Sequence, residues 1–85
     1  MLRRFLLHQF FFLARLAAEL DRFVSYADLK HHVLRAAGST DETEEATFCQ
    51  KLKNRAKRRY IPGIDRLLVT TNKGDGYRMR GHLEA

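Results

Sequence analysis

ETEEATFCQKLKNRAKRRY at 42–60, answered by TTNKGDGYRMR at 70–80, carries most of the information about the fold. At about 100° per residue, Phe48, Cys49, Leu52 and Ala56 fall on one side of a helix over 42–60. Thr43, Thr47, Gln50, Lys51, Asn54, Lys57 and Arg58 fall on the other. From Ala46 to Gly63 the chain has six lysines and arginines and no carboxylate. A helix that docks a narrow apolar seam and turns Gln, Asn, Lys and Arg outward has the make-up of a major-groove reader. A solvated basic face is the plainer reading of the same pattern. Pro62 stops the helix, because the residue before a proline disfavours the helical region. Beyond it, Leu67 to Thr71 reads as a strand, Asn72 to Gly76 as a turn, and Tyr77 to Arg80 as the returning strand.

Upstream, Ser25-Tyr26-Ala27-Asp28 is a capping-box variant. The Ser25 hydroxyl suits the Asp28 amide, and the Asp28 carboxylate suits the first turn. A second helix follows over 26–36 with Leu29, Val33 and Leu34 inward, closed by Gly38 as a left-handed cap. Phe23-Val24 before it is one extended step into the core. Residues 3–21 read as the first helix. Leu6, Phe10, Leu13, Ala17 and Leu20 keep a 3,4 spacing and form its inward stripe, widened by Phe5, Phe12 and Leu16. Leu7 and Phe11 lie toward the far side and are expected to stay partly exposed as a partner surface, for a second copy of the chain or for a segment preceding the first helix. The acidic run Thr40 to Glu45 suits the start of the third helix, with Ser39, Thr40 or Asp41 as its cap. The expected architecture is mainly α with a small β hairpin: one domain over 1–85, ordered over about 3–80, with 81–85 frayed.

Composition agrees. Eighty-five residues with 45% hydrophobic and 31% charged side chains make one small globular domain. A formal charge of +6 favours an anionic partner. A single cysteine excludes an internal disulfide and a cysteine-based zinc finger, and fits a reducing cytoplasm. The N-terminal MLRRFLLHQFFFLARLAAEL carries two early arginines, but His8, Gln9 and Arg15 interrupt its apolar run, which is too short and polar to span a bilayer. No membrane, cofactor or metal is expected.

Three motifs in order carry a resemblance. Val24-Ser25-x-x-Asp28-Leu29 resembles the "V-S-x-x-x-L" opening of the second helix in OmpR/PhoB-type effector domains. Leu52-Lys53-Asn54-Arg55-Ala56 sits where that family has "L-R-x-K-L". Thr71-Asn72-Lys73-Gly74-Asp75-Gly76-Tyr77-Arg78 resembles its "T-V-R-G-x-G-Y-R" wing. The match covers about residues 20–80. It implies a winged helix-turn-helix that binds duplex DNA as a transcription regulator, third helix in the major groove and wing in the minor groove. The family's contacting sites fall on Gln50, Lys51, Lys53, Thr71 and Lys73. The family's loop between the second and third helices, here 39–45, touches the transcription machinery. The chain departs from the family in lacking a four-stranded sheet before the first helix, in Phe48 and Cys49, and in the acidic Glu44-Glu45.

Thr47, Gln50, Lys51 and Asn54 are thus the expected base contacts. Gln50 and Asn54 suit adenine edges, and Lys51 suits guanine acceptors. Lys53, Lys57, Arg58 and Arg59 are the expected phosphate contacts. Thr71 and Lys73 are assigned to the minor groove, where a narrow groove attracts cations. Enzymatic readings are weak. His31 and His32 are adjacent and point to different faces, Cys49 lies on the apolar seam without an activating base, and the carboxylates cluster on one capping turn. The alternative reading is a protein-interaction module that has kept the fold and lost DNA binding.

Overall fold

In the computed structural model, the described residues are 2–71 and 73–81, with side chains from Leu7 onward. The expectations for the side chains of Phe5 and Leu6, for Asn72 and for 82–85 lie outside them. The elements run α1 (Leu2–Ala17), β1 (Phe23–Ser25), α2 (Tyr26–Ala37), α3 (Glu45–Arg59), α4 (Ile64–Leu67), β2 (Leu68–Thr70) and β3 (Gly76–Met79). This is a small, mainly helical domain with a three-stranded antiparallel sheet in the order β1-β3-β2.

The sheet covers one side of the helices. Val24 pairs with Tyr77 and Leu68 with Met79, and these four alternate inward. Tyr77 sits at the centre. Its ring meets Phe12 at 6.0 Å and Tyr26 at 5.1 Å, both edge-on, an arrangement aromatic quadrupoles favour. Leu16, Leu29, Val33, Cys49, Leu52, Ala56 and Ile64 complete the core from all four helices.

Around α2 the local signals hold. Ser25 Oγ accepts from the Asp28 amide at 3.1 Å, and Gly38 takes φ 63° and donates to Arg35 and Leu34 carbonyls. Elsewhere tertiary contacts move the boundaries. The first helix ends at Ala17 instead of running to 21, because the Asp21 amide donates to the Met79 carbonyl at 2.8 Å and ties the chain to the end of β3. Asp21 takes φ 64° there, and its carboxylate accepts from the Gly81 amide at 3.0 Å, so Gly81 is held rather than frayed. Phe23–Ser25 is a full strand of the sheet, not a single extended step.

The third helix starts at Glu45, three residues later than expected, with Glu44 as an uncapped N-cap. Neither Ser39 nor Asp41 caps it. Asp41 accepts from the Thr43 amide at 2.7 Å, Lys30 donates to the Thr43 carbonyl, and Ser39 bonds the His8 ring at 2.9 Å. The groups that would open the helix are spent in the loop. After Pro62-Gly63 comes α4, one helical turn in a stretch for which the sequence reading assigned no element, and the strands are slightly offset from 67–71 and 77–80.

The largest correction concerns which face of α1 is inward. Phe10 is 65% exposed and Leu20 46%, while Gln9, Phe12 and Leu16 are buried. Of the expected central stripe Phe10, Ala17 and Leu20 turn outward and Leu13 is half-buried, while Phe12 and Leu16, expected to widen it, carry the packing, so the inward face is turned by about 100°. Phe10, Phe11 and Phe12 cover three directions, so the periodicity is nearly degenerate and the docking of the sheet decides between them. Gln9 is buried with its Oε1 unpartnered, the cost of that choice.

Candidate nucleic-acid interface

The α3 seam places its polar face outward. Phe48, Cys49, Leu52 and Ala56 are buried. Gln50, Lys51, Asn54, Arg58 and Arg59 are exposed, and Thr47 is half-buried. Thr47, Gln50, Asn54 and Arg58 recur at three- and four-residue steps, so they form a continuous strip along the helix. Gln50 and Asn54 stand one turn apart, close enough to address adjacent base pairs with amide donors and acceptors. Lys51, Arg58 and Arg59 make no ion pair among the described residues.

Lys53 and Lys57 are differently placed. Lys53 Nζ lies 3.1 Å from Asp65 Oδ1, and Lys57 Nζ bonds Asp65 Oδ2. The Lys53 ammonium also lies 5.3 Å from the centre of the Tyr77 ring. The two lysines, Lys57 first, hold the Asp65 carboxyl below its usual range. Sequence reasoning does not find Asp65. Its pairs bridge eight and twelve residues, for which no periodicity exists. The available signal is Gly63-Ile-Asp-Arg-Leu, a helical turn with an acid at its start.

The C-terminal hairpin is fixed rather than loose. The Thr71 hydroxyl donates to Asp75 Oδ1 at 2.7 Å and accepts from the Asp75 amide at 3.0 Å. The Gly74 amide closes the turn on the Thr71 carbonyl at 2.9 Å, and the Tyr26 amide pins the Asp75 carbonyl at 2.8 Å. Thr71 is therefore occupied internally, and Lys73 is the exposed cation of the turn. Between this turn and the start of α2 opens a cleft of about 570 Å³, lined by Phe23, Ser25, Asp28, Thr71, Lys73 and Asp75. One lysine against two carboxylates does not make it a phosphate pocket. Phe23, expected to step into the core with Val24, is instead 63% exposed and lines this cleft, because alternate residues of β1 face opposite sides of the sheet and only Val24 turns inward.

The acidic segment 39–45 is anchored by His8 from α1 and Lys30 from α2. Asp41 is held below the usual carboxylate range, chiefly by its bonds to Thr43. Of the residues expected to stay partly exposed, Leu7 is 46% exposed and Phe11 is half-buried, packed against the core. Phe10 and the 52%-exposed Tyr60 add to the exposed apolar surface.

Cys49 is wholly buried, its Sγ near the Tyr26 carbonyl, and burial, with Glu45 second, pushes its thiol up to about 12. It is protonated and shielded at neutral pH. His31 is exposed and His32 half-buried. Among the described residues no group of His, Cys, Asp or Glu is gathered to hold a metal ion, and no helix is long and apolar enough to cross a membrane. Comparison with protein-family models, curated proteins and solved structures found no match to this chain.

Proposed function

We propose that this domain is a winged helix-turn-helix that binds duplex DNA and serves transcription regulation, α3 in the major groove and the hairpin turn at Lys73 in the minor groove. The observation that carries the reading is the exposed strip Gln50-Asn54-Arg58, continued by half-buried Thr47 and flanked by Lys51, with Lys51 and Arg58 lacking carboxylate partners among the described residues. Base-edge amides and free cations on one helical face combine sequence discrimination with electrostatic affinity. The order of helices, with a hairpin closing the sheet against α2, supports the same assignment. The proposed roles follow exposure. Gln50, Asn54, Lys51 and Thr47 read bases, Arg58 and Arg59 hold phosphates, and Lys73 enters the minor groove. Thr71 orders the turn. The domain is proposed to act by binding, without catalysis.

Fluorescence anisotropy with duplex DNA across a salt series tests this. Arg58→Ala should weaken all sequences alike and reduce the log–log salt slope by about one unit. Gln50→Ala or Asn54→Ala should instead erode preference for a selected site, by about 1–3 kcal/mol for each bidentate amide–base pairing removed. If no duplex binds at low salt, or if neither amide substitution alters affinity or preference, the reading fails. A second reading, a protein-interaction module, is favoured by the apolar exposure of Phe10 and Tyr60. It would then take its place.

A further inference from the structure

We propose that Asp65 tunes how strongly the domain grips DNA irrespective of sequence, by holding Lys53 and Lys57 off the phosphates; this rests on the DNA-binding reading above. The single turn of α4 presents Asp65 to α3, where one carboxylate takes two ammonium groups, Lys53 Nζ at 3.1 Å on one oxygen and Lys57 Nζ on the other. Lys53 is drawn furthest. Its side chain is only 19% exposed and its charge lies over the Tyr77 ring, toward the hairpin and away from the Gln50–Asn54 strip.

Affinity for phosphates comes from releasing counterions condensed on DNA. A lysine that must leave a tethered carboxylate to reach a phosphate gains less from the exchange, and the carboxylate left behind repels that phosphate. Asp65 thus removes two of the six cations of 46–63 from the sequence-independent part of binding. The base-reading strip is untouched. Because phosphate contacts carry no sequence information, Asp65 lowers affinity for every duplex alike and leaves the ratio of specific to non-specific binding unchanged. A purely stabilising role is a poor account of the Lys57 arm: Asp65 and Lys57 are both about half exposed, and exposed pairs contribute little to stability.

The test measures wild type, Asp65→Asn and Asp65→Glu on one random duplex over a salt series, with melting temperatures alongside. Asp65→Asn should bind about three- to tenfold tighter at low salt, with a slope steeper by about one to two units as the freed lysines reach phosphates. Asp65→Glu should keep the wild-type slope. Adding Lys53→Ala and Lys57→Ala to Asp65→Asn should abolish the gain, which distinguishes freed lysines from altered folding. Tight binding by both wild type and Asp65→Asn with equal slopes overturns the inference and leaves the DNA reading standing. Absence of binding by both wild type and Asp65→Asn at low salt overturns both.

Discussion

A Cβ added at Gly76 would lie 2.9 Å from Ser25 Cα and closer still to the Val24 carbonyl oxygen. These are backbone atoms of the neighbouring strand and cannot swing aside, so the glycine is there to let β1 approach β3, not to supply a positive φ. Gly74, at φ 68°, supplies that for the turn. Gly76→Ala should therefore cost about 1–3 kcal/mol through forced separation of the strands. Gly63→Ala, where a Cβ meets nothing within 4 Å, should stay within about 0.5 kcal/mol of wild type. Urea unfolding of the two variants checks the contrast. Equal stabilities would mean that the β1–β3 pairing is not as close as described.

Among the helices, α1 separates two phenylalanines that sequence spacing places on the same inward side. Phe12 is fully buried against Tyr77, whereas Phe10 is 65% exposed. Phe12→Ala should lose about 3–5 kcal/mol, and Phe10→Ala less than about 0.5 kcal/mol. Denaturant midpoints decide between this face of α1 and its neighbour. The loop into α3 gives a pH prediction. The folded Asp41 carboxyl titrates below its ordinary value, so its contribution is complete above the unfolded value and is lost as pH falls through the folded one. The melting temperature of Asp41→Ala should lie below wild type at pH 7, and the gap should close as pH is lowered past the ordinary carboxylate range. A gap that does not change with pH would mean that the bond to Thr43 does not depend on the carboxylate charge.

Taken together, the charges of the domain sum to +6, which makes the folded state responsive to polyanions. A ligand that binds only the folded chain stabilises it by about 2.7 kcal/mol at a hundred times its dissociation constant. For a domain of this size that corresponds to a rise in melting temperature of roughly 10 °C or more. Duplex DNA at low salt should produce such a rise, and it should collapse as salt increases, because counterion release weakens with ionic strength. Differential scanning fluorimetry with and without duplex reads it directly. A salt-independent rise, or none, would contradict an interface built on Lys51, Arg58, Arg59 and Lys73.

Short-range hydrogen bonding and helical periodicity are legible in the residues alone. The Ser25 cap, the Gly38 left-handed turn, the Phe48-Cys49-Leu52-Ala56 seam and the exposed Gln50–Asn54 strip all rest on groups within a few residues of one another. Local geometry leaves such groups little choice. Three outcomes needed the folded chain: which face of an aromatic-rich α1 turns inward, that Asp21 ties α1 to β3 and ends it at Ala17, and that Asp65 claims Lys53 and Lys57. They depend on where distant backbone comes to lie. Several faces of α1 are almost equally apolar, and charges twelve residues apart have no fixed geometry until packing of the core sets their separation.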